Sequence, residues 1–157
     1  MAIKQIWPLA MVLLLSACTG NLVYDKNLTM PDKQWHWQQR GEFEVAVDDT
    51  TATYDLLINT RINRNYPFAN MWIMMQERTP DGDSSLIRLE LPLFAPDGQP
   101  LGVSKGTVFE YRIPVQKSKT YARSGLYKYS VEQNMRINTL PGVLDVGIAL
   151  EKTGEKF

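Results

Sequence analysis

The chain has 157 residues, with 17 basic and 17 acidic side chains, one histidine and one cysteine. Balanced charge excludes the basic excess that nucleic acid or a polybasic membrane patch demands. A lone histidine and a lone cysteine exclude a zinc centre of the usual kind, and no metal or cofactor is expected.

In chain order, the first element is an export signal. Lys4 supplies a positive start, and the apolar run from Ile6 to Leu15 is too short to span a bilayer. Leu15-Ser16-Ala17-Cys18 has the Leu-small-small-Cys form cut by lipoprotein signal peptidase, whereas a plain secretory site would carry a small residue in place of Leu15. Residues 1–17 are therefore read as a lipoprotein signal peptide, and Cys18 as the lipidation site, where the thiol becomes a thioether to a diacylglycerol. This reading also accounts for an odd cysteine in an exported chain. Two or more acyl chains anchor a protein stably, and no later run has the length of a transmembrane helix. The mature chain is expected to sit on a membrane through its N-terminal lipid without crossing it.

Residues 18–39 show no sustained periodicity and are read as a lipidated N-terminus and tether, with a reach of about 25 Å as free coil. Residues 40–157 are read as one domain. Phe43, Val45 and Val47 alternate with Glu42, Glu44 and Asp48. Tyr54, Leu56, Ile58, Thr60 and Ile62 repeat this opposite Asp55, Asn59, Arg61 and Asn63. Period two means strands with one wet face. The run from Asn70 to Arg78 is apolar on both faces at first, as in a central strand. Leu86 to Leu93 alternates with Arg88 and Glu90 outward. Further sets are Phe109, Tyr111 and Ile113; Tyr127, Tyr129 and Val131; and Leu144, Val146, Ile148 and Leu150. Val115 to Arg123 has room for a helical turn that Ser124-Gly125 would stop. Pro80-Asp81-Gly82, Pro96-Asp97-Gly98 and Pro141-Gly142 are turn chemistry. About seven or more such strands and no amphipathic helix predict an all-β fold, an antiparallel β-sandwich that is jelly-roll-like or Ig-like.

Catalytic constellations are poorly supplied. His36 has no evident partner, and no Gly-x-Ser-x-Gly occurs. Asp81-Gly82-Asp83 does not continue as a calcium loop. Leu101-Gly102-Val103-Ser104-Lys105-Gly106 lacks the order of a phosphate loop and reads as a flexible loop. Glu42 and Glu44 share a solvated strand face. The chain is therefore not expected to be an enzyme.

Aromatics carry the hint of binding. Trp35, Trp37 and Tyr66 are the candidate interaction surface, with Trp72 as a further member of a platform for a sugar ring or a protein. The competing reading puts Trp72 in the core and has Trp35 and Trp37 clamp the tether onto the sandwich. Packing is the favoured alternative, because large aromatics bury well in small domains.

The mature chain also resembles the gliding motility lipoprotein GldH family. The resemblance runs through Val23-Tyr24-Asp25-Lys26-Asn27, Met30-Pro31, Trp35, Asn65-Tyr66-Pro67-Phe68-Ala69-Asn70 and Pro80-Asp81-Gly82. It continues in Glu90-Leu91-Pro92-Leu93-Phe94-Ala95-Pro96-Asp97-Gly98, Leu101-Gly102, Gly125-Leu126-Tyr127, Glu132-Gln133-Asn134-Met135-Arg136 and Leu140-Pro141-Gly142-Val143-Leu144-Asp145-Val146-Gly147. Val103-Ser104-Lys105 departs from the more glycine-rich stretch expected there. The resemblance implies a lipid-anchored envelope protein, a non-catalytic accessory or assembly component of the gliding motility apparatus, which is tied to type IX protein secretion. It implies partners among other gliding or secretion lipoproteins or envelope proteins, and it transfers no site residue except Cys18. Thr19 follows Cys18 where an Asp would retain a lipoprotein at the inner membrane, and no acidic cluster follows to direct surface export. The outer membrane, facing the periplasm, is the expected location. The alternative function is a lipid-anchored glycan-binding β-sandwich module.

Overall fold

The computed structural model describes residues 21–155, so the signal sequence, Cys18 and the last two residues lie outside the described residues. Eleven strands follow one another: β1 (Leu22–Thr29), β2 (Gln34–His36), β3 (Gly41–Val47), β4 (Ala52–Asn63), β5 (Asn70–Arg78), β6 (Ser84–Pro92), β7 (Val103–Lys105), β8 (Val108–Lys119), β9 (Gly125–Gln133), β10 (Thr139–Pro141) and β11 (Val143–Glu155). A single 3-10 turn at Pro31–Lys33 separates β1 from β2. Five strands in the order β1-β11-β4-β8-β7 make one antiparallel sheet and four in the order β3-β9-β5-β6 make the other, with β2 and β10 as a two-stranded ribbon. Both sheets keep free edge strands, so the expected sandwich stays open and is not a barrel.

The sandwich follows from alternation. Phe43, Val45 and Val47 are buried from β3, Met71, Ile73 and Met75 from β5, and Tyr127, Tyr129 and Val131 from β9. They meet Tyr54, Leu56, Ile58 and Ile62 of β4, Tyr111 of β8 and Ile148 and Leu150 of β11 in one core. Strands β3, β4, β5, β9 and β11 each bury a side of the pleat between the two sheets, which gives a two-layer packing. Pro80-Asp81-Gly82 and Pro96-Asp97-Gly98 close matching turns, with Gly82 N donating to Thr79 O (3.0 Å) and Gly98 N to Ala95 O (2.8 Å). Both glycines take positive φ, +95° and +83°.

Four local expectations are corrected. Leu22–Thr29 is no tether but the edge strand β1, paired along β11 from Leu22↔Glu151 to Thr29↔Asp145. Its side chains are largely exposed, so backbone pairing holds it and no burial rhythm marks it. Val115 to Lys119 continues β8 as strand and forms no helical turn. Val103–Lys105, expected as a flexible loop, pairs with β8 as a short edge strand. In β11 the pairing shifts between Val143↔Ile62 and Asp145↔Arg61, so Leu144 is an extra residue. This bulge changes the phase, and Val143 joins Val146, Ile148 and Leu150 in the core in place of Leu144.

The outer face of β4 also departs from a wet face. Leu57 and Asn59 are buried there, because β4 lies mid-sheet and polar side chains from β1 and β8 reach across it.

Candidate functional site

Strand register divides the molecule into two ends. Leu22 pairs with Glu151, and Tyr54 pairs with Lys119. The chain therefore enters beside the end of β11, the start of β4 and the end of β8, here termed the near end. Thr29 pairs with Asp145, and Asn63 with Val108. The far end gathers the β2–β10 ribbon, the loop from residue 64 to 69 and the loop from residue 93 to 102. A 12-residue strand such as β4 separates the two ends by roughly 40 Å.

The far end is built from aromatics and prolines. Tyr66, Phe68, Pro92, Phe94 and Pro96 line an open hollow of about 570 Å³. Tyr66 and Phe68 meet edge-to-face at 6.0 Å, and Phe94 meets Phe109 at 5.5 Å. Tyr66 donates its hydroxyl to Asn70 O at 2.7 Å, and burial pushes its phenol well above the usual range. Gly142 shapes this end: its φ is +80°, and a Cβ there would lie 2.4 Å from Tyr66 N. Only glycine tolerates both conditions. At the end of the ribbon strand β2, Trp37 is 50 % exposed, and its backbone N–H donates to Asn138 O (2.8 Å). Ile137, Leu101 and Val103 are also exposed apolar side chains at this end.

The candidate interaction surface of Trp35, Trp37 and Tyr66 does not form one platform. Trp35 is fully buried opposite Leu140, with its Nε1–H donated to Gln39 O at 2.8 Å. Tyr66 is buried too, and only Trp37 is presented. Trp72 is not a core residue but stands half-buried on the outer face of β5, with the Arg88 guanidinium 4.1 Å from its ring centre. His36 accepts from Gln38 N through Nδ1 at 3.3 Å. Cys18 lies outside the described residues. Phe68, Phe94 and Ile137 are the surface residues that sequence reasoning missed. Their signal is position in loops beside Pro67, Pro96 and the ribbon, which becomes informative only once the far end is assembled.

The two outer faces carry the charged groups. On the four-stranded sheet, Arg40 pairs with Glu132 (3.0 Å) and Lys128 with Glu44 (3.0 Å) around a groove of about 230 Å³. On the five-stranded sheet, Arg112 bridges Asp25 and Glu151, each at 2.9 Å, and Arg61 pairs with Asp145. Hydrogen bonding to Asp145 holds the Arg61 guanidinium above its usual range. Among the described residues, no group of three or more His, Cys, Asp or Glu could hold a metal ion. Among the same residues, no helix is long and apolar enough to cross a membrane.

Comparison with known proteins adds a family. A family model described as GldH lipoprotein matches residues 22–150. A protein named as a gliding motility lipoprotein GldH homolog, from Christiangramia forsetii, is 32 % identical over 149 residues, covering 90 % of this chain and 91 % of the relative. The gliding motility lipoprotein GldH of Flavobacterium johnsoniae is 29 % identical over 147 residues, covering 89 % of this chain and 91 % of its own.

Proposed function

This chain belongs to the GldH lipoprotein family, and from that membership we propose that it is a lipid-anchored, non-catalytic accessory or assembly component of the gliding motility and type IX secretion apparatus. The observation that carries the reading is the match over residues 22–150, which takes in both sheets and both ends of the sandwich. Cys18 bears the lipid. Two residues separate it from Asn21, a reach of at most about 11 Å, so the near end lies against the membrane. The far end then points away from the membrane, presenting Trp37, Ile137, Leu101 and Val103 for protein contact. A half-exposed tryptophan is the kind of side chain that anchors protein contacts. The protein is held at the outer membrane and faces the periplasm, its partners being other gliding or secretion lipoproteins or envelope proteins.

The test is a crosslinked pull-down of the full-length lipoprotein from membranes, read by mass spectrometry. Co-recovery of gliding or type IX secretion components is expected. Recovery of the lipoprotein alone, or with peptidoglycan or polysaccharide only, would overturn the assignment. Two controls accompany it: Cys18→Ser should move the protein out of the membrane fraction, and protease added to intact cells should leave the domain uncut.

A further inference from the structure

A strand at the edge of a sheet offers unpaired backbone groups to another chain, and folded proteins blunt such edges with bulges, inward charges or short length. Among the described residues, the two sheets end on β1, β7, β3 and β6. Strand β1 opens with a bulge at Leu22/Tyr24 and sets Lys26 on the face of Tyr24, its Nζ 5.6 Å from that ring centre. Strand β7 has three residues, and β3 is approached by β1 across its side of the sandwich. Strand β6 has none of these defences. It pairs with β5 without a bulge from Asn70↔Pro92 to Arg78↔Ser84, and its one proline is its last residue. We propose that β6 is a docking edge that takes an extended segment of a partner protein as an added antiparallel strand, read by Arg88 and Glu90. The inference rests on the fold, except that choosing a partner protein over a second copy rests on the lipid anchor.

Register fixes which backbone groups face outward. Trp72 O accepts from Asn134 N (2.7 Å) and Trp72 N donates to Met135 Sδ (3.1 Å), so the backbone of Trp72 is turned toward β9 and away from β6. Its neighbours Met71 and Ile73 therefore bond to Leu91 and Leu89, and Leu93 N continues the series at Ala69 O (3.0 Å). By alternation along an antiparallel ladder, the N–H and C=O groups of Leu86, Arg88 and Glu90 point to the open side. Each of these residues offers a donor and an acceptor, spread along about 14 Å of strand. Such an edge suits capture of a peptide by strand addition.

Side chains give the edge its specificity. On the inner face, Leu91 is fully buried, but Ile87 and Leu89 stay partly exposed although they pack against the core. An added strand with apolar residues beside them would cover what β6 leaves open. On the outer face, Arg88 Nε donates to Asn134 Oδ1 (2.7 Å) and its guanidinium lies against Trp72, while Glu90 accepts from Asn70 Nδ2 (2.5 Å). Both charges are held by neutral groups, so each can pair with an opposite charge on a new strand. Opposite charges facing each other across a strand pair are favourable, and like charges are not. The segment that fits has a basic residue opposite Glu90, an acidic one opposite Arg88 and apolar residues at the alternate positions.

A second copy would match the same charges, since Arg88 and Glu90 could pair across a two-fold axis at Leu89. That copy would be inverted, because β6 runs from Ser84 at the near end to Pro92 at the far end. The two lipid anchors would then point in opposite directions, so copies held on one membrane do not pair this way. The occupant is therefore a segment of a different protein.

The experiment uses the full-length lipoprotein in nanodiscs, amide-exchange NMR and the capped heptapeptide SKVEVTT, which sets Lys opposite Glu90 and Glu opposite Arg88. With the peptide at about ten times its Kd, exchange at Leu86, Arg88 and Glu90 should slow about tenfold, while the amides of β1 stay unchanged. The charge-swapped peptide SEVKVTT should bind at least about fivefold more weakly. Arg88→Glu, on the exposed face, should reverse the preference, so that SKVKVTT binds this variant better than SKVEVTT does. No slowing at the three amides with millimolar SKVEVTT, or equal binding of the swapped peptide, would overturn the proposal. Slowing without peptide that grows with protein concentration would also overturn it, by showing a second copy on the edge. None of these outcomes depends on which apparatus the protein serves.

Discussion

The phenol oxygens of Tyr121 and Tyr129 lie 2.8 Å apart inside the near end of the sandwich. Tyr121 also packs edge-to-face on Tyr54 (5.4 Å) and Tyr127 (4.6 Å). Those two rings are tied to backbone, Tyr54 to Asp49 O (2.7 Å) and Tyr127 to Arg123 O (2.9 Å). Four tyrosines thus form one cluster, two sharing a buried hydroxyl hydrogen bond and two tied to backbone carbonyls.

This cluster predicts alkaline sensitivity. Burial holds Tyr121 and Tyr129 above the usual phenol range, and it also raises Tyr111, to about 12. The unfolded chain then gives up its phenol protons at lower pH than the native one. Stability should stay level through neutral pH and fall once pH rises above about 10. Denaturant titrations at about pH 8 and about pH 11, followed by phenolate absorbance, should show ionisation coupled to unfolding. Phenols that all titrate near about pH 10 with the fold intact would contradict this.

Beside the phenols, Lys119 Nζ contacts Glu77 Oε2 at 2.8 Å, with both side chains mostly buried. Lys119→Met leaves the carboxylate desolvated and alone, and should cost about 3 kcal/mol. Replacing Glu77 by Leu in the same chain should restore most of the loss. Equal stability for Lys119→Met and the native protein would show that the pair is wetter than its geometry implies.

Trp35 and Trp37 should behave oppositely. Trp35→Ala empties a fully buried site and should cost about 3–5 kcal/mol. Trp37→Ala should change stability by no more than about 0.5 kcal/mol, yet reduce the proteins recovered by crosslinking. Chemical denaturation and the pull-down, run on the same two variants, separate the core role from the surface role.

Two glycines with similar φ should respond differently to alanine. Gly82 (φ +95°) has nothing within 4 Å of an added Cβ, so Gly82→Ala carries only backbone strain, about 1 kcal/mol. Gly142 (φ +80°) adds a collision 2.4 Å from Tyr66 N. Gly142→Ala should cost at least about 3 kcal/mol and disturb the far end. Similar melting temperatures for the two variants would refute the steric argument.

What the sequence makes legible follows from which force marks each residue. Burial against an opposing sheet leaves an alternating trace, so Phe43, Val45 and Val47 read as a strand face. Backbone pairing leaves none, and β1 was therefore invisible although β11 holds it along its length. A bulge breaks the trace in place, which is why Leu144 read as core and Val143 did not. Trp35 and Trp37 share a face by period two, but the chain turns after His36, with Gln39 N donating to His36 O (2.9 Å). That turn sends one ring inward and the other to solvent. Asn59 and Asp145 come from two strands and line one cleft only through sheet order, so no local motif announces it.

The register of β1 has a mechanical consequence. Its first residue is at the near end, and it runs antiparallel to β11 toward the far end. Tension applied between the N-terminus and a partner at the far end would pull along β1, in the plane of the sheet. That geometry loads the β1–β11 hydrogen bonds in shear, all together, instead of peeling them one at a time. Shear is the direction in which a β-ladder resists rupture best, so the strand nearest the anchor is also placed to carry a sustained load into the middle of the fold.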